Sequence, residues 1–319
     1  MPLFSVIIPT YNRELFLKET LQSVFRQTFP DFEVIVVDDG STDNTWTYLQ
    51  NLKHKIIFLR QKNKGPGAAR NLGALHASGK YLAFLDSDDL WFPYTLEKLY
   101  PLLNLPEKIS LVHLPVEHFD RNEMFHEFES NYPTIYEKYK CFIDAVPKII
   151  QIGSGHLVVC RNTFIYHGGF VENINCAEDH DLVLRLSLET GFIRIKSPPF
   201  VACRIHEQKQ TRSSKNLANG ILFIIDREKK GLYPGGKLHQ KQRRHIITTH
   251  ARAASLMCLR NLDLIPSLHI YFKTFFWQAR HLRYRYLFGY VLYFLLCFLR
   301  LISIHIKKLF LKFFVKNDS

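Results

Sequence analysis

Two runs of acids carry the chemistry that this 319-residue sequence suggests first. The string FEVIVVDDGSTDNT puts Asp38 and Asp39 directly after a β-branched run, and YLAFLDSDDLW puts Asp86, Asp88 and Asp89 directly after another. Carboxylates gathered at one place repel one another unless a cation or hydrogen-bond donors share the space. A hard divalent ion, held by one or two carboxylates and the phosphates of a substrate, answers that repulsion. A lone Asp after a strand is also an ordinary turn former or helix N-cap, and Asp43 and Asp89 fit that reading. Two clusters, both at strand ends, point instead to a site.

A further acid, Asp179, opens the segment AEDHDLVLRL. On a helix beginning near Glu178 it shares a face with Leu182, Val183 and Leu186, so it projects at the buried end. There it is either a plain N-cap or a general base, and the helix N-terminus favours its ionised form. Glu178 beside it either orients a substrate or is a helix-start acid. Asp181, Arg185 and Glu189 fall at i, i+4 spacing on another face and read as a solvated ion-pair row.

The elements that must position these groups follow from hydrophobic period. Phe4–Ile8, Phe32–Val37, Ile56–Leu59 and Tyr81–Leu85 read as strands, with helices at Glu14–Gln27 and Ala68–Ala77. The second helix is entered through Gly65-Pro66-Gly67, either a close backbone approach to a ligand or a simple helix-entry turn. This alternation predicts an α/β domain with a mainly parallel sheet, whose ligands bind beyond the carboxyl ends of the strands. Ile109–Leu114 reads as a further strand. Residues from Pro115 to about Gln151 have no clear period and receive no assignment. Regular structure returns as a strand at Leu157–Cys160, helices at Arg161–His167 and Glu178–Glu189, and strands near Phe192–Ile195 and Phe200–Ile205. Beyond Thr211 the pattern is helical.

Charge divides the chain unevenly. The net charge is +13, and from Lys237 to Ser319 there are 15 Lys and Arg against Asp263 and Asp318 alone. The first 236 residues balance 27 bases with 27 acids. With 47% apolar residues, long disorder and collagen-like repeats are excluded. Six scattered cysteines make no CxxC pair, and the N-terminal MPLFSVIIPTYNR has no signal-peptide pattern. The expectation is a reducing, cytosolic address without disulfides.

In the basic tail, YLFGYVLYFLLCFL (Tyr286–Leu299) is uncharged for 14 residues, which suits an interfacial or buried helix. Extended to Ile306 it becomes 21 residues with Arg300 and His305 inside, a single-span alternative. The following KKLFLKFFVK alternates Lys308, Lys312 and Lys316 with Leu309, Phe310, Phe313 and Phe314, as in a helix lying in an anionic membrane surface. Bases interleaved this densely with Leu and Phe suit lipid better than nucleic acid, so no nucleic-acid partner is expected. A homo-oligomer stays open, as does packing of the tail on the catalytic domain.

In order and spacing, SVIIPTYNR, VIVVDDGSTDNT, NKGPGAARNLG, FLDSDD, GGF (Gly168–Phe170), AEDHDLVLRL and RIH (Arg204–His206) resemble the family 2 glycosyltransferases. The likeness covers about residues 3–211. It implies a GT-A type, Rossmann-like sheet flanked by helices and an inverting transfer from a nucleoside-diphosphate sugar to a hydroxyl. It further implies that Pro9, Thr10, Tyr11 and Arg13 line the nucleotide pocket and that Asp39 meets the imide of the base. Asp86 would lie near ribose and diphosphate, Asp88 would hold Mg²⁺ or Mn²⁺, Asp179 would be the base, and His206 would approach the metal. Arg13 and Arg70 either add cationic help at the phosphates or are structural. The expected organisation is a transferase domain over 1–211, its nucleotide-sugar half about 1–114 and acceptor half about 115–211, then a helical membrane-associating region over 212–319. The expected acceptor is a glycan or lipid-linked hydroxyl in envelope polysaccharide synthesis, at the cytoplasmic face of the membrane. Rival readings are a nucleotidyltransferase, which lacks its Gly- and Lys-rich loop here, and a non-catalytic sugar-nucleotide-binding scaffold, against which the intact acids speak. A dinucleotide-binding dehydrogenase is disfavoured because no GxGxxG follows the first strand.

Overall fold

The computed structural model describes residues 1–52, 54–120, 132–146, 148, 152–172, 174–206 and 213–317, except for the side chains of 305 and 308–317. The chain separates into two compact units. One is Met1–Lys209 with Tyr233–Gly235, the other Gln210–Leu232 with Gly236–Ser319.

The first unit opens with β1 (Phe4–Thr10), α1 (Glu14–Phe25), β2 (Phe32–Asp38), α2 (Thr45–Gln50), β3 (Ile57–Arg60), α3 (Pro66–His76) and β4 (Tyr81–Phe84). β1 is buried along its whole length, Ser5 and Thr10 included, as a mainly apolar strand covered on both faces should be. β3, β2, β1 and β4 lie side by side and parallel, with Thr10 opposite Asp38 and Ile7 opposite Phe84. Parallel pairing in this register delivers the residues after β1, β2 and β4 to one rim. α3 sits tightly on β1: a Cβ on Gly73 would lie 2.7 Å from the Ile7 side chain.

The chain continues through β5 (Leu90–Trp91), α4 (Thr95–Leu103), β6 (Leu111–His113), β7 (Val116–Phe119), β8 (Ile135–Tyr139), β9 (Leu157–Cys160), α5 (Arg161–Tyr166), α6 (Glu178–Arg185), β10 (Phe192–Ser197) and β11 (Val201–Arg204). The large sheet has the order β3-β2-β1-β4-β9-β6-β10-β8; all its strands run one way except β8 and β9. β5, β11 and β7 form a small second sheet. The mainly parallel α/β architecture is thus as expected. Within the unassigned stretch the structure places β7 and β8; β8 (IYEKY) is too exposed to show a buried face in its sequence. α6 stops at Arg185, short of the expected Glu189.

The second unit comprises α7 (Ser214–Lys229), α8 (Gln240–Arg260), α9 (Leu264–Arg280) and α10 (Tyr284–Asn317). Buried Glu228 on α7 pairs with buried Arg243 on α8 at 2.7 Å. Tyr271 of α9 stacks on Tyr290 of α10 at 4.1 Å, and Ser255 and Ser267 hydrogen-bond the Tyr286 and Tyr290 hydroxyls, both at 2.7 Å. The two apolar tail segments read separately from sequence are one helix of 34 residues. One side of it is core, with Tyr286, Leu287, Tyr290 and Cys297 packed among Leu259 and Tyr271. The other side leaves Phe288, Leu292, Leu295 and Leu299 exposed. Tyr284–Ile304 is long and apolar enough to cross a membrane, with a mean hydropathy of 2.1. The expected Lys308, Lys312 and Lys316 face lies outside the described side chains.

Candidate active site

The loops after β1 and β2 are stitched together by backbone donors. Asn12 Oδ1 accepts from Thr42 N at 2.7 Å, Asn12 N donates to Ser41 Oγ at 2.9 Å, and Arg13 N donates to Thr45 Oγ1 at 3.2 Å. Pro9 and Thr10 are buried at this rim, whereas Tyr11 is 41% exposed and presents its ring to solvent. Asp39 is fixed by three donors: Gln61 Nε2 at 2.7 Å, Lys64 N at 2.9 Å and Gly65 N at 2.8 Å. A carboxylate offers about four lone-pair positions, so capacity for one more donor remains. Asp38, expected in the same crevice, is instead fully buried. It accepts from Ser41 N at 2.9 Å and faces Arg60 Nε at 3.3 Å, so it supports the loop rather than the site.

α3 links this loop to the other two acid segments. Gly65, at a φ of 91° open mainly to glycine, turns the chain into Pro66 at the first helical position, and its amide meets Asp39. One turn later the buried Arg70 reaches Asp86 at 2.6 Å with Nη2 and Glu178 at 3.0 Å with Nη1. Phe170 lies 5.3 Å from its guanidinium. Burial works against the Arg70 charge, but Asp86 and Glu178 outweigh it and hold the guanidinium above its ordinary range. The two acids it joins are 92 residues apart in the chain.

Beyond β4, Asp86, Asp88 and Asp89 present carboxylate oxygens within 4.8 Å of one another. Asp88 Oδ2 receives both Arg13 Nη1 and His206 Nε2 at 2.7 Å. Asp89 is no helix cap: its Oδ1 accepts from Arg204 N at 3.0 Å. Gly155 comes so near that a Cβ there would sit 3.2 Å from the Asp86 carboxylate. An all-oxygen set of this size, with an imidazole on Asp88, fits a hard divalent cation.

At the start of α6, Ala177 takes a left-handed φ of 68° and turns the chain into the helix. Leu182, Val183 and Leu186 are buried, while Asp179 keeps 15% of its side chain exposed. Its Oδ1 accepts from His180 N at 2.7 Å and His180 Nδ1 at 2.6 Å. The neighbouring acids diverge. Burial pushes the Glu178 carboxyl up and the Asp179 charge adds to it, whereas at Asp179 the same burial is overcome by His180, which holds it below the usual carboxylate range.

The solvated row expected from Asp181, Arg185 and Glu189 does not exist. Asp181 is fully buried, pairs with Arg185 at 2.8 Å and accepts from the Tyr233 hydroxyl at 2.9 Å. Arg185 also donates to the carbonyls of His167 and Gly169, clamping the turn that ends α5. Glu189 belongs elsewhere, with His167 at 2.8 Å. Gly168 and Gly169, both at positive φ, close α5 with amides donating to Ile165 and Phe164 carbonyls.

A sequence profile described as Glycosyl transferase family 2 matches residues 5–159. An uncharacterised glycosyltransferase of Rickettsia prowazekii (strain Madrid E) is 32% identical over 67% of this chain and 68% of its own length. The chain belongs to glycosyl transferase family 2. Solved structures agree on the fold. S. aureus TarS 1–349 in complex with UDP superposes with a TM-score of 0.60 at 20% identity, over 82% of this chain and 75% of that one. A longer TarS structure gives the same score, and this chain spans 43% of its length. The mannosyltransferase PcManGT from Pyrobaculum calidifontis, in complex with GDP-Man and Mn²⁺, gives 0.51 at 18% identity over 92% and 86%. The protein is therefore a glycosyltransferase with a GT-A fold.

Proposed function

We propose that this family 2 enzyme moves a hexose-type sugar from a UDP-sugar, with inversion and with a divalent cation, to a hydroxyl of a glycan or lipid-linked acceptor in envelope or surface polysaccharide synthesis. The observation that carries the reading is the buried Arg70 bridge, which ties Asp86 to Glu178 and so brings the strand-end acids and the helix bearing Asp179 to one place. The UDP and UDP-GlcNAc complexes of TarS support the choice of donor. In this reading the residues that match the family's motifs take the roles the resemblance implies. Pro9, Thr10, Tyr11 and Arg13 border the nucleotide, Asp39 accepts the base imide with its remaining lone pair, and Asp86 lies by the ribose and diphosphate.

Asp88, with His206 beside it, would hold Mg²⁺ or Mn²⁺, which neutralises charge on the departing diphosphate when bound. Asp179 accepts the proton of the acceptor hydroxyl while that oxygen attacks the anomeric carbon from the side opposite the diphosphate. The bond from anomeric carbon to phosphate oxygen breaks, and its electron pair leaves with the nucleotide. The opposite displacements of Glu178 and Asp179 support Asp179 as the base, since His180 favours its ionised form whereas burial and the neighbouring charge disfavour that of Glu178.

The second unit serves as the membrane-associating part of this reading, at the cytosolic leaflet where lipid-linked acceptors present their head groups. Its exposed apolar residues on α9 (Ile265, Phe272, Phe276) and α10, together with the basic excess after Lys237, support contact with an anionic bilayer. Asp179→Asn tests the catalytic assignment. Turnover of a UDP-sugar with acceptor should fall by about 10²–10⁴-fold while UDP affinity and the thermal midpoint hold. Unchanged turnover in a folded variant would remove Asp179 from the reaction.

A further inference from the structure

A second group of side chains whose types could hold a metal ion shares Asp89 with the acid cluster, and its donors differ in kind. Asp89, after β4, His156, in the short 3-10 turn before β9, and Cys203, on β11, bring one carboxylate oxygen, one imidazole nitrogen and one sulfur within 4.8 Å of one another. All three are buried, at 2%, 7% and 7% exposure, and Cys203 is in no disulfide. Three separate elements, spanning 115 positions, thus meet at one point. The imidazole has a built seat: a Cβ on Gly153 would stand 2.9 Å from His156 Nδ1 and 3.0 Å from Cε1, so only glycine leaves the ring its place. Asp89 is steadied by Arg204 N on one oxygen.

Donor chemistry separates this trio from Asp86, Asp88 and Asp89. Three carboxylates suit Mg²⁺ or Mn²⁺, whereas thiolate, imidazole and carboxylate together suit a thiophilic ion that accepts four-coordination. We propose that Asp89, His156 and Cys203 form a binding site for Zn²⁺ or a similar thiophilic divalent ion, distinct from the cation position at the donor diphosphate. Binding converts the Cys203 thiol to thiolate and releases its proton to solvent, with no redox change. The fourth position is left to a water or a substrate oxygen. Asp89 belongs to both trios, so an ion held here anchors that carboxylate and leaves the diphosphate cation to Asp86 and Asp88.

The test uses the full-length chain, stripped with chelator, kept reduced with a phosphine and titrated with Cd²⁺. The readout is the ultraviolet thiolate-to-metal charge-transfer band. One equivalent should saturate the band, Cys203→Ser should abolish it, and Cys176→Ser, at another buried thiol, should keep it. Circular dichroism confirms that each variant is folded. If Cys203→Ser does not fold, Asp89→Asn, of equal volume, should weaken Cd²⁺ binding several-fold. Absence of the band in the parent chain, its survival in folded Cys203→Ser, or unaltered affinity in Asp89→Asn would overturn the proposal.

Discussion

The two units hold charge in opposite ways. In the first, buried or half-buried carboxylates are each matched: Asp39 by two backbone amides and Gln61, Asp86 by Arg70, Asp88 by Arg13 and His206, Asp181 by Arg185 and Tyr233. In the second, one such pair, Glu228 with Arg243, is buried among the described residues. Most of its cations lie toward the surface beside uncovered Phe and Leu side chains. Buried charge is costly to desolvate and weak as a source of stability, so its concentration at one sheet rim marks a place built for a charged ligand. Exposed apolar surface together with an excess of bases is what the proposed contact with an anionic bilayer would use.

The sharpest way to break the comparison is Arg70→Met. It leaves Glu178 buried without its partner, so we expect a loss of about 3–5 kcal/mol in denaturant unfolding together with loss of turnover. Retained stability would mean that the bridge between the acid segments carries no strain of charge. Next in size comes the proposed membrane face. Phe272→Glu with Phe276→Glu removes two exposed rings, each contributing about 1.5–3 kcal/mol when buried, so sedimentation with anionic vesicles should weaken by at least about tenfold. Turnover of a water-soluble acceptor should not change. The smallest effect belongs to Glu137, a half-buried acid on the outer strand of the sheet. Hydrogen bonds from Lys196 and Tyr139 lower its carboxyl to about 2. A depressed carboxylate contributes above its ordinary range, near 4.3, and that contribution fades as pH falls toward about 2. Glu137→Gln should therefore lower stability slightly at neutral pH and flatten the profile within that window, as unfolding curves at stepped pH would show.

What could be seen in the sequence is what local pattern encodes. β1, β2 and β4 are mainly apolar runs because most of their length is covered on both faces, and the acids directly after β2 and β4 must arrive at one rim. Pro66 after Gly65 likewise announces the start of α3. The long-range partners were not visible. Nothing near Arg70 tells that it spans Asp86 and Glu178, and the i, i+4 spacing of Asp181 and Arg185 is the same whether the pair faces water or core. Burial decided against water, through Tyr233 from far along the chain. β8 escaped notice because a half-exposed edge strand has no alternation to read. The trio of Asp89, His156 and Cys203 has no sequence spacing at all; only folding brings it together.

The central claim is that acids remote in the chain converge on a nucleoside diphosphate and a divalent cation. Calorimetric titration of the full chain with UDP, with Mn²⁺ and then with chelator, tests it most directly. The account predicts saturable heat that depends on Mn²⁺ and is lost in Asp88→Asn, while Asp179→Asn binds UDP as the parent does. Equal UDP affinity with and without the metal, unaffected by Asp88→Asn, would contradict it.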